Sequence, residues 1–486
     1  MAHFINNEWV EGEGPELVSI NPATGHPCWH GRHATKQEID AAIQAARNAV
    51  QWWADRPIEK RIELLRAFEQ QLRAHQDELA EAISVETGKP RWDSLTEVAA
   101  MIGKVSCSID AYRDRRSETV CQLSGLRGVT RYKAFGVLLV LGPFNYPGHV
   151  PNGHMVPALL AGNTIVFKPS KATPMVAQKT VKLWEAAGLS AGVINLVQGG
   201  RDTSIALSSH PGHDGILFTG SYAAGVALRR LLVEETGKML ALEMGGNNPL
   251  VVHDAADLGA AAYLTIQSAY ITSGQRCTCS RRLIVPHGSK GDRFIERLVT
   301  MIGQIAVGSY TDEPEPFMGP LISEEAAERL LSAQDELIKR GGKPLVKMQR
   351  LDFGPAFVSP SLIDVTRIEP RDDSELFGPL LQLTRVHDFD AAINEANDTA
   401  YGLAAALLSD KRTLWQRFLR HIRAGVVNWN RQSTGASGRL PFGGTGLSGN
   451  HRPSGYFAID YCSHPMASME LDRVTMPKKL TPGIDL

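Results

Sequence analysis

The sequence predicts an α/β protein built on a parallel, doubly wound sheet. Two observations carry that expectation. From about residue 136, short apolar β-rich runs alternate with helical stretches, and a second region of the same grammar spans about 248 to 428. A turn rich in Gly or Pro follows most of the runs.

The first segment reads as helical. Thr35-Lys-Gln-Glu38 is a capping box, in which hydroxyl and carboxylate satisfy orphan amides at a helix start. Ile39, Ile43, Ala46 and Val50 follow at helical spacing. A longer helix is expected from Pro57, with Ile58, Ile62, Leu65, Leu72, Leu79 and Ile83 as its buried stripe and Gly88 and Pro90 as its end. The strands then come as GVLLVL at 136, NTIVFK at 163, VINLV at 193, GILFTG at 215 and KMLALE at 238. A helix over about 174 to 187 is expected after the second of them. Ligands in such sheets bind beyond the C-terminal strand ends. That singles out the turns Gly142–Asn145, Lys168–Ser170 and Gly220-Ser221.

In the second region, PLVV leads to a helix opened by Asp257, with Gly274 as its expected end. Cys277 follows on a loop before the strand RRLIVP. Residues 115–135 and the tail after about 460 fit neither region and read as an interaction arm. No tandem repeat or low-complexity tract occurs.

Composition narrows the function classes. Hydrophobic residues at 43% and charged residues at 21% match an ordinary soluble globular protein. A net charge of −1 gives no reason to expect nucleic acid or an anionic membrane as partner. The N-terminus lacks a signal-peptide pattern, and the apolar runs are too short for a membrane span. The 6 cysteines are sparse and irregular, so reduced thiols and the cytoplasm are expected.

Five motifs stand at strand ends or on loops. In SGQRCTCSR (273–281), Cys277 suits a thiolate nucleophile, and the open alternative is a pair of buried loop cysteines. A metal clip needs further ligands at matching spacing, and a redox pair usually reads CxxC, so no metal is expected. Glu243 in LEMGG precedes a double glycine that a ligand can approach closely, and a surface ion pair is the alternative. The turn Gly220, Ser221, Tyr222, Ala223, Ala224, Gly225 opens a helix whose amides suit a phosphate, although many such turns bind nothing. Lys168 in FKPSK suits a ribose or phosphate, or is a solvated lysine. Asn145 in GPFNYP can donate to an oxyanion, or serves the turn itself.

The order of these motifs, with ELFGP (375–379) and PFGGTGLSG (441–449), resembles the NAD(P)-dependent aldehyde dehydrogenase superfamily over essentially the whole chain. The resemblance implies a Rossmann-type cofactor domain (1–114 and 136–247) and an α/β catalytic domain (248–428). It also implies a β oligomerisation arm (115–135 and 460–486) and a returning segment (429–459) that lines the substrate pocket. It makes Cys277 the nucleophile, Glu243 the general base and Asn145 the oxyanion donor. Lys168 and Glu375 would hold the cofactor riboses, residues 220–225 would face the pyrophosphate, and Phe377 would pack by the nicotinamide ribose. A homodimer or dimer of dimers is implied. So is a hydrolytic outcome, since relatives that pass the acyl group to phosphate or coenzyme A need no base.

Within the family, GHVPNGHMVPALLAGN, LEMGGNNPLVV and VNWNRQSTGASGRLPFGGTGLSGNHRPSGY resemble members that oxidise a small semialdehyde bearing two carboxylates. Arg276, Arg431 and Arg439 are the candidate carboxylate holders, each with structural pairing as the alternative, while His149 and His154 read as pocket wall or core. NAD is the expected cofactor. NAD-preferring members commonly carry Glu after KPS, whereas Lys171 stands here and leaves NADP open. Another semialdehyde, such as that of glutamate or succinate, is the alternative substrate. A cofactor-free cysteine hydrolase is the more distant reading.

Overall fold

The computed structural model describes residues 2–123, 125–477 and 479–484. Residues 124, 478, 485 and 486 of the expected arm, and residue 1, lie outside the described residues.

The apolar runs pair as the alternation requires. Val137–Leu141, Thr164–Lys168, Ile194–Leu196, Gly215–Gly220 and Met239–Met244 form the parallel body of one sheet, and His3–Ile5 and Glu8–Val10 extend it antiparallel. Strand Val137–Leu141 lies between Gly215–Gly220 and Thr164–Lys168, so the chain reverses its direction of growth there. That reversal leaves a crevice at the strand ends. The strands are apolar on both faces because helices cover both. One face carries Phe68, Met101, Met155 and Trp184 from four helices, and the other carries Ile39, Ile43 and Leu228 from two more. Burying each such side chain stabilises the fold by about 1.5–3 kcal/mol.

The capping box forms. Thr35 Oγ1 accepts from Glu38 N at 3.3 Å, and Glu38 Oε2 accepts from Thr35 N at 2.7 Å. The expected long helix is two, Ile58–Ala74 and Gln76–Thr87, because His75 leaves helical geometry at φ −113° and ψ 25°. The stripe persists on both pieces: Leu65, Leu72, Leu79 and Ile83 are buried. A further helix, Arg91–Arg115, runs on from Pro90.

A second, mostly parallel sheet holds Ser361–Asp364, Leu380–Val386, Ser280–Pro286, Asn248–Val252, Ala404–Leu408 and Val426–Trp429, with Lys343–Val346 antiparallel at its edge. A separate antiparallel sheet of three strands joins Thr119–Leu123, Leu126–Ala134 and Ser463–Glu470, so both stretches read as an arm meet in it. Among the described residues no helix is long and apolar enough to cross a membrane.

Replacing Thr35 with Ala removes one half of the capping box and should cost about 1 kcal/mol. Differential scanning calorimetry should show a lower thermal midpoint, and steady-state activity should be unchanged. A midpoint equal to wild type would mean that the cap contributes nothing.

Candidate active site

Strand Met239–Met244 carries Glu243 to the crevice, one residue from its end. Its outer edge is closed by the returning segment. Asn450 N donates to Leu242 O at 3.0 Å, and Asn450 Oδ1 accepts from Leu242 N at 2.7 Å. Gly449 pairs beside Glu243 at φ +131°, and a Cβ there would stand 2.1 Å from the Leu242 carbonyl oxygen. Only glycine fits, which accounts for its place in PFGGTGLSG.

The Cys277 loop follows helix Leu258–Ala269, whose N-cap is Asp257 as expected. The helix ends at Tyr270, before Gly274, because Thr272 and Ser273 both turn left-handed at φ 54°. Non-glycine residues held there store strain of about 1–3 kcal/mol each. Hydrogen bonds hold them in place: Thr272 Oγ1 donates to Asp93 Oδ2 at 2.5 Å, and Ser273 Oγ donates to Gly319 O at 2.7 Å. Arg281, fully buried, clamps the loop by donating to Gly274 O at 2.6 Å and Arg276 O at 3.0 Å. Asn248 Nδ2 donates to the carbonyls of Cys277 at 2.7 Å and Cys279 at 2.9 Å. Cys279 is fully buried, with its thiol toward Ile271 O, so it packs beneath the loop.

Asn145, Lys168, Lys171, Gly220, Ser221, Ala224, Glu243, Cys277, Glu375 and Phe377 line one cavity of about 1030 Å³. Tyr222, Ala223 and Gly225 do not line it, although they belong to the same turn. Gly225 instead lets the helix approach the sheet, since a Cβ there would meet Met244 Sδ at 2.3 Å.

At the centre, the Cys277 thiol and the Glu243 carboxylate line the same cavity and act on each other's titration. Burial pushes Glu243 up to about 8, the neighbouring Cys277 thiol opposes the rise, and the charge of Glu375 adds to it. Burial also raises the Cys277 thiol well above its usual value, and both carboxylates push it the same way. Glu243 Oε1 is buried with no protein partner among the described residues, leaving an acceptor for a water or a reacting group. Asn145 Nδ2 spends one N–H on Gln275 O at 2.8 Å, which fixes the amide beside the loop and leaves its second N–H.

One end of the cavity suits a dinucleotide. Helix Tyr222–Leu231 begins at the wall, with Ser221 as its N-cap and the first-turn residues exposed. Such a terminus offers orphan amides and a positive dipole end to a phosphate. Lys168 is buried and donates to Pro169 O at 2.5 Å and Gly199 O at 3.0 Å, which leaves a third ammonium proton for a ribose hydroxyl. Burial alone lowers its ammonium to about 8. Glu375 sits against Gly245, where a Cβ would meet its Oε2 at 1.8 Å, and accepts from Gly246 N at 3.2 Å. Lys171, Arg201 and Ser204 line the same end.

The three arginines proposed for substrate carboxylates separate. Arg276 lines the cavity, but its guanidinium is engaged by Asp93 at 2.8 Å and Thr272. Arg439 stands exposed on the wall and pairs with Asp110 at 3.5 Å. Arg431 is exposed and does not line the cavity. His149 lines the wall, whereas His154 is a core residue bound to Tyr461 at 2.8 Å and Thr219 at 3.1 Å. Sequence reasoning missed Asp93 and Lys104, both on helix Arg91–Arg115, since no periodicity was read there. The signal was present: Thr96, Ala100, Gly103, Lys104 and Cys107 recur at helical spacing and all line the cavity. Among the described residues no cluster of three or more His, Cys, Asp or Glu is arranged to hold a metal.

Comparison with known proteins is consistent with this arrangement. The chain is 51% identical over 483 residues to an N-succinylglutamate 5-semialdehyde dehydrogenase from Chromobacterium violaceum, covering 99% of each chain. It is 50% identical over 485 residues to the protein of the same name from Ectopseudomonas mendocina, covering 100% of each. Among solved structures, a 1-pyrroline-5-carboxylate dehydrogenase from Thermus with bound NAD superposes with a TM-score of 0.90 at 29% identity, covering 96% of this chain and 92% of that one. The profile of the aldehyde dehydrogenase family matches residues 9–466, a span that takes in the second sheet, every parallel strand of the first, and the cavity with Cys277 and Glu243, and the chain therefore belongs to the aldehyde dehydrogenase family.

Proposed function

We propose that this chain oxidises N-succinylglutamate 5-semialdehyde to N-succinylglutamate, with NAD as cofactor and with water as the acyl acceptor. The observation that carries the chemistry is the meeting of Cys277, Asn145 and a buried Glu243, whose Oε1 has no protein partner among the described residues, on one cavity wall. The substrate rests on two full-length relatives near half identity that bear this name.

The residues divide the work as follows. Cys277 is a poor nucleophile as a thiol raised by its surroundings, so its proton must leave as sulfur attacks the aldehyde carbon. The ionised fraction of Glu243 accepts that proton; a value near 8 keeps the fraction small at neutral pH but makes the carboxylate a strong base. Attack closes an S–C bond and places an oxyanion on the former aldehyde oxygen. The free N–H of Asn145 and the Cys277 amide stabilise it, each worth about 3 kcal/mol in such a site. NAD, when bound, would supply the acceptor for the hydride that leaves this carbon; Lys168 and Glu375 would hold its riboses, Gly220, Ser221 and Ala224 would face its pyrophosphate, and Phe377 would pack beside the nicotinamide ribose. Cys277 is then a thioester. Glu243 passes its first proton to solvent and then takes a proton from water, the hydroxide adds to the thioester carbon, the C–S bond breaks, and Cys277 regains a proton from Glu243 as the acid product leaves and ionises to the carboxylate.

The finer assignments belong to this reading. Lys171 cannot accept from ribose hydroxyls and is suited to pair with a 2′-phosphate, so NADP stays open beside NAD. The chain works in the cytoplasm with reduced cysteines, as a homodimer or dimer of dimers. Its three-stranded sheet exposes Val120, Leu123 and Met469, which is apolar surface suited to a second copy.

Steady-state assays should give a kcat/KM for N-succinylglutamate semialdehyde above those for glutamate and succinate semialdehydes; any other order refutes the substrate. A preference for NADP beyond about tenfold would overturn NAD. Cys277→Ala should abolish NADH formation. Glu243→Gln should lower turnover by about 10²–10⁴-fold and accumulate acylated enzyme detectable by intact-protein mass spectrometry.

Glu243 also predicts a pH effect on stability. Its folded value, about 8, lies above the unfolded value near 4.5. Below both values the group is protonated in both states and costs nothing. Between them the unfolded chain ionises while the folded one holds its proton, so stability falls as pH rises through that window. Glu243→Gln should therefore raise the thermal midpoint at pH 8 and leave it nearly unchanged at pH 4.5. An equal shift at both values would show that Glu243 is not destabilised by burial.

A further inference from the structure

Two sides of the cavity come from opposite faces of the first sheet. Helix Tyr222–Leu231 packs on one face, and helix Arg91–Arg115 lies on the other with His149–Leu160. The first side is the dinucleotide end. The second, across Cys277 and Glu243, is left for the aldehyde.

That side holds a cation with no counter-ion. Lys104 is 4% exposed and lines the cavity. Its ammonium makes a single hydrogen bond, to Gly455 O at 2.7 Å, and among the described residues no carboxylate pairs with it. An ammonium can donate three times, and a buried charge left unpaired is costly unless a ligand completes it. Burial has already drawn this group down to about 8. The residue before it supplies room. Gly103 lies in mid-helix, where glycine costs about 0.5–1 kcal/mol relative to Ala. A Cβ there would meet nothing within 4 Å, so no protein packing explains the missing side chain. Ala100 and Thr96 continue the same small-residue stripe along the wall.

We propose that Lys104 is the specificity-determining cation for the substrate, seated over the open floor at Gly103 and binding the carboxylate remote from the aldehyde carbon. This rests on the reading of the substrate as a semialdehyde bearing two carboxylates. Lys104 Nζ keeps its bond to Gly455 O and gives two further N–H bonds to the incoming carboxylate, as a charge-assisted pair shielded from water. The chain of the substrate lies over Gly103 and Ala100. Arg439, at the exposed rim and already paired with Asp110, attracts the anion without fixing it.

The test compares two aldehydes on the purified full-length enzyme with saturating NAD: N-succinylglutamate semialdehyde, and hexanal as an uncharged aldehyde. Lys104→Met should raise KM for the diacid about 10–100-fold with little change in kcat, so that the selectivity ratio of diacid over hexanal falls by that factor. Lys104→Arg should restore part of the ratio, because the charge returns in a different shape. Binding of the product N-succinylglutamate to Cys277→Ala protein, measured calorimetrically with and without Lys104→Met, should weaken in parallel. Should both aldehydes suffer equally, or the ratio stay at the wild-type value, Lys104 is a structural anchor for Gly455 and the inference falls alone. Wild-type enzyme that does not oxidise the diacid would instead remove the substrate reading, and this inference with it.

Discussion

The carboxylate of Asp93 is the constraint on which the site depends. It is fully buried at the start of helix Arg91–Arg115, and it accepts from Thr272 Oγ1 at 2.5 Å and Arg276 Nη2 at 2.8 Å. Burial pushes its pKa up, but the charges of Arg276 and Lys89 outweigh that and hold it below the usual range. It therefore stays ionised and binds a stretch of loop that would otherwise unwind, since Thr272 and Ser273 are both left-handed. Breaking one side of such a buried pair typically costs about 3–5 kcal/mol, which is enough to release the strain in two residues. The neighbouring Glu97 extends the same device: its Oε1 accepts from the amides of Gly148 at 2.8 Å and His149 at 3.0 Å, just past the Asn145 turn. One helix end thus fixes both the Cys277 loop and the Asn145 turn.

Three acidic groups share the cavity, and that crowding sets its proton logic. Cys277, Glu243 and Glu375 each raise or are raised by another, and burial acts on all three. Full ionisation of the set is unfavourable at neutral pH, so the resting site keeps protons on some of its members. Arg281 offsets part of the charge from 3.9 Å at Glu375, yet its main bonds go to loop carbonyls. The result is a site where protons are shared among sulfur and two carboxylates within one cavity.

Much of this was legible in the sequence, and the failures have physical causes. Strands with both faces buried announce themselves as apolar runs, and the turns that follow them carry Asn145, Lys168 and Ser221 to one crevice. Glu243 and Cys277 are found by their glycines and their loop. The helix end at Tyr270 was misplaced because the residues beyond it, Thr272 and Ser273, give no warning of a left-handed conformation; tertiary hydrogen bonds impose it. The break at His75 was hidden because the apolar stripe continues in phase across it. Arg276 looked like a ligand for the substrate because its partner, Asp93, is 183 positions away in the chain. Charge alone marks a candidate; only the fold says whether the charge is already engaged.

The two cysteines of SGQRCTCSR make the same point at the smallest scale. Both thiols are raised by burial, so neither is reactive by pKa alone. They differ in their place on a β-turn, which the Cys279 amide closes onto Arg276 O at 3.0 Å. Cys277 occupies the corner of that turn and meets the cavity and Glu243, while Cys279 lies past it, fully buried, with a backbone carbonyl as its neighbour. A sulfur can be made nucleophilic only where its proton has somewhere to go and its electron pair has a carbon to reach. The turn sets Cys277 against the cavity and Glu243 and buries Cys279, so two chemically identical side chains two residues apart meet different surroundings because of one backbone hydrogen bond.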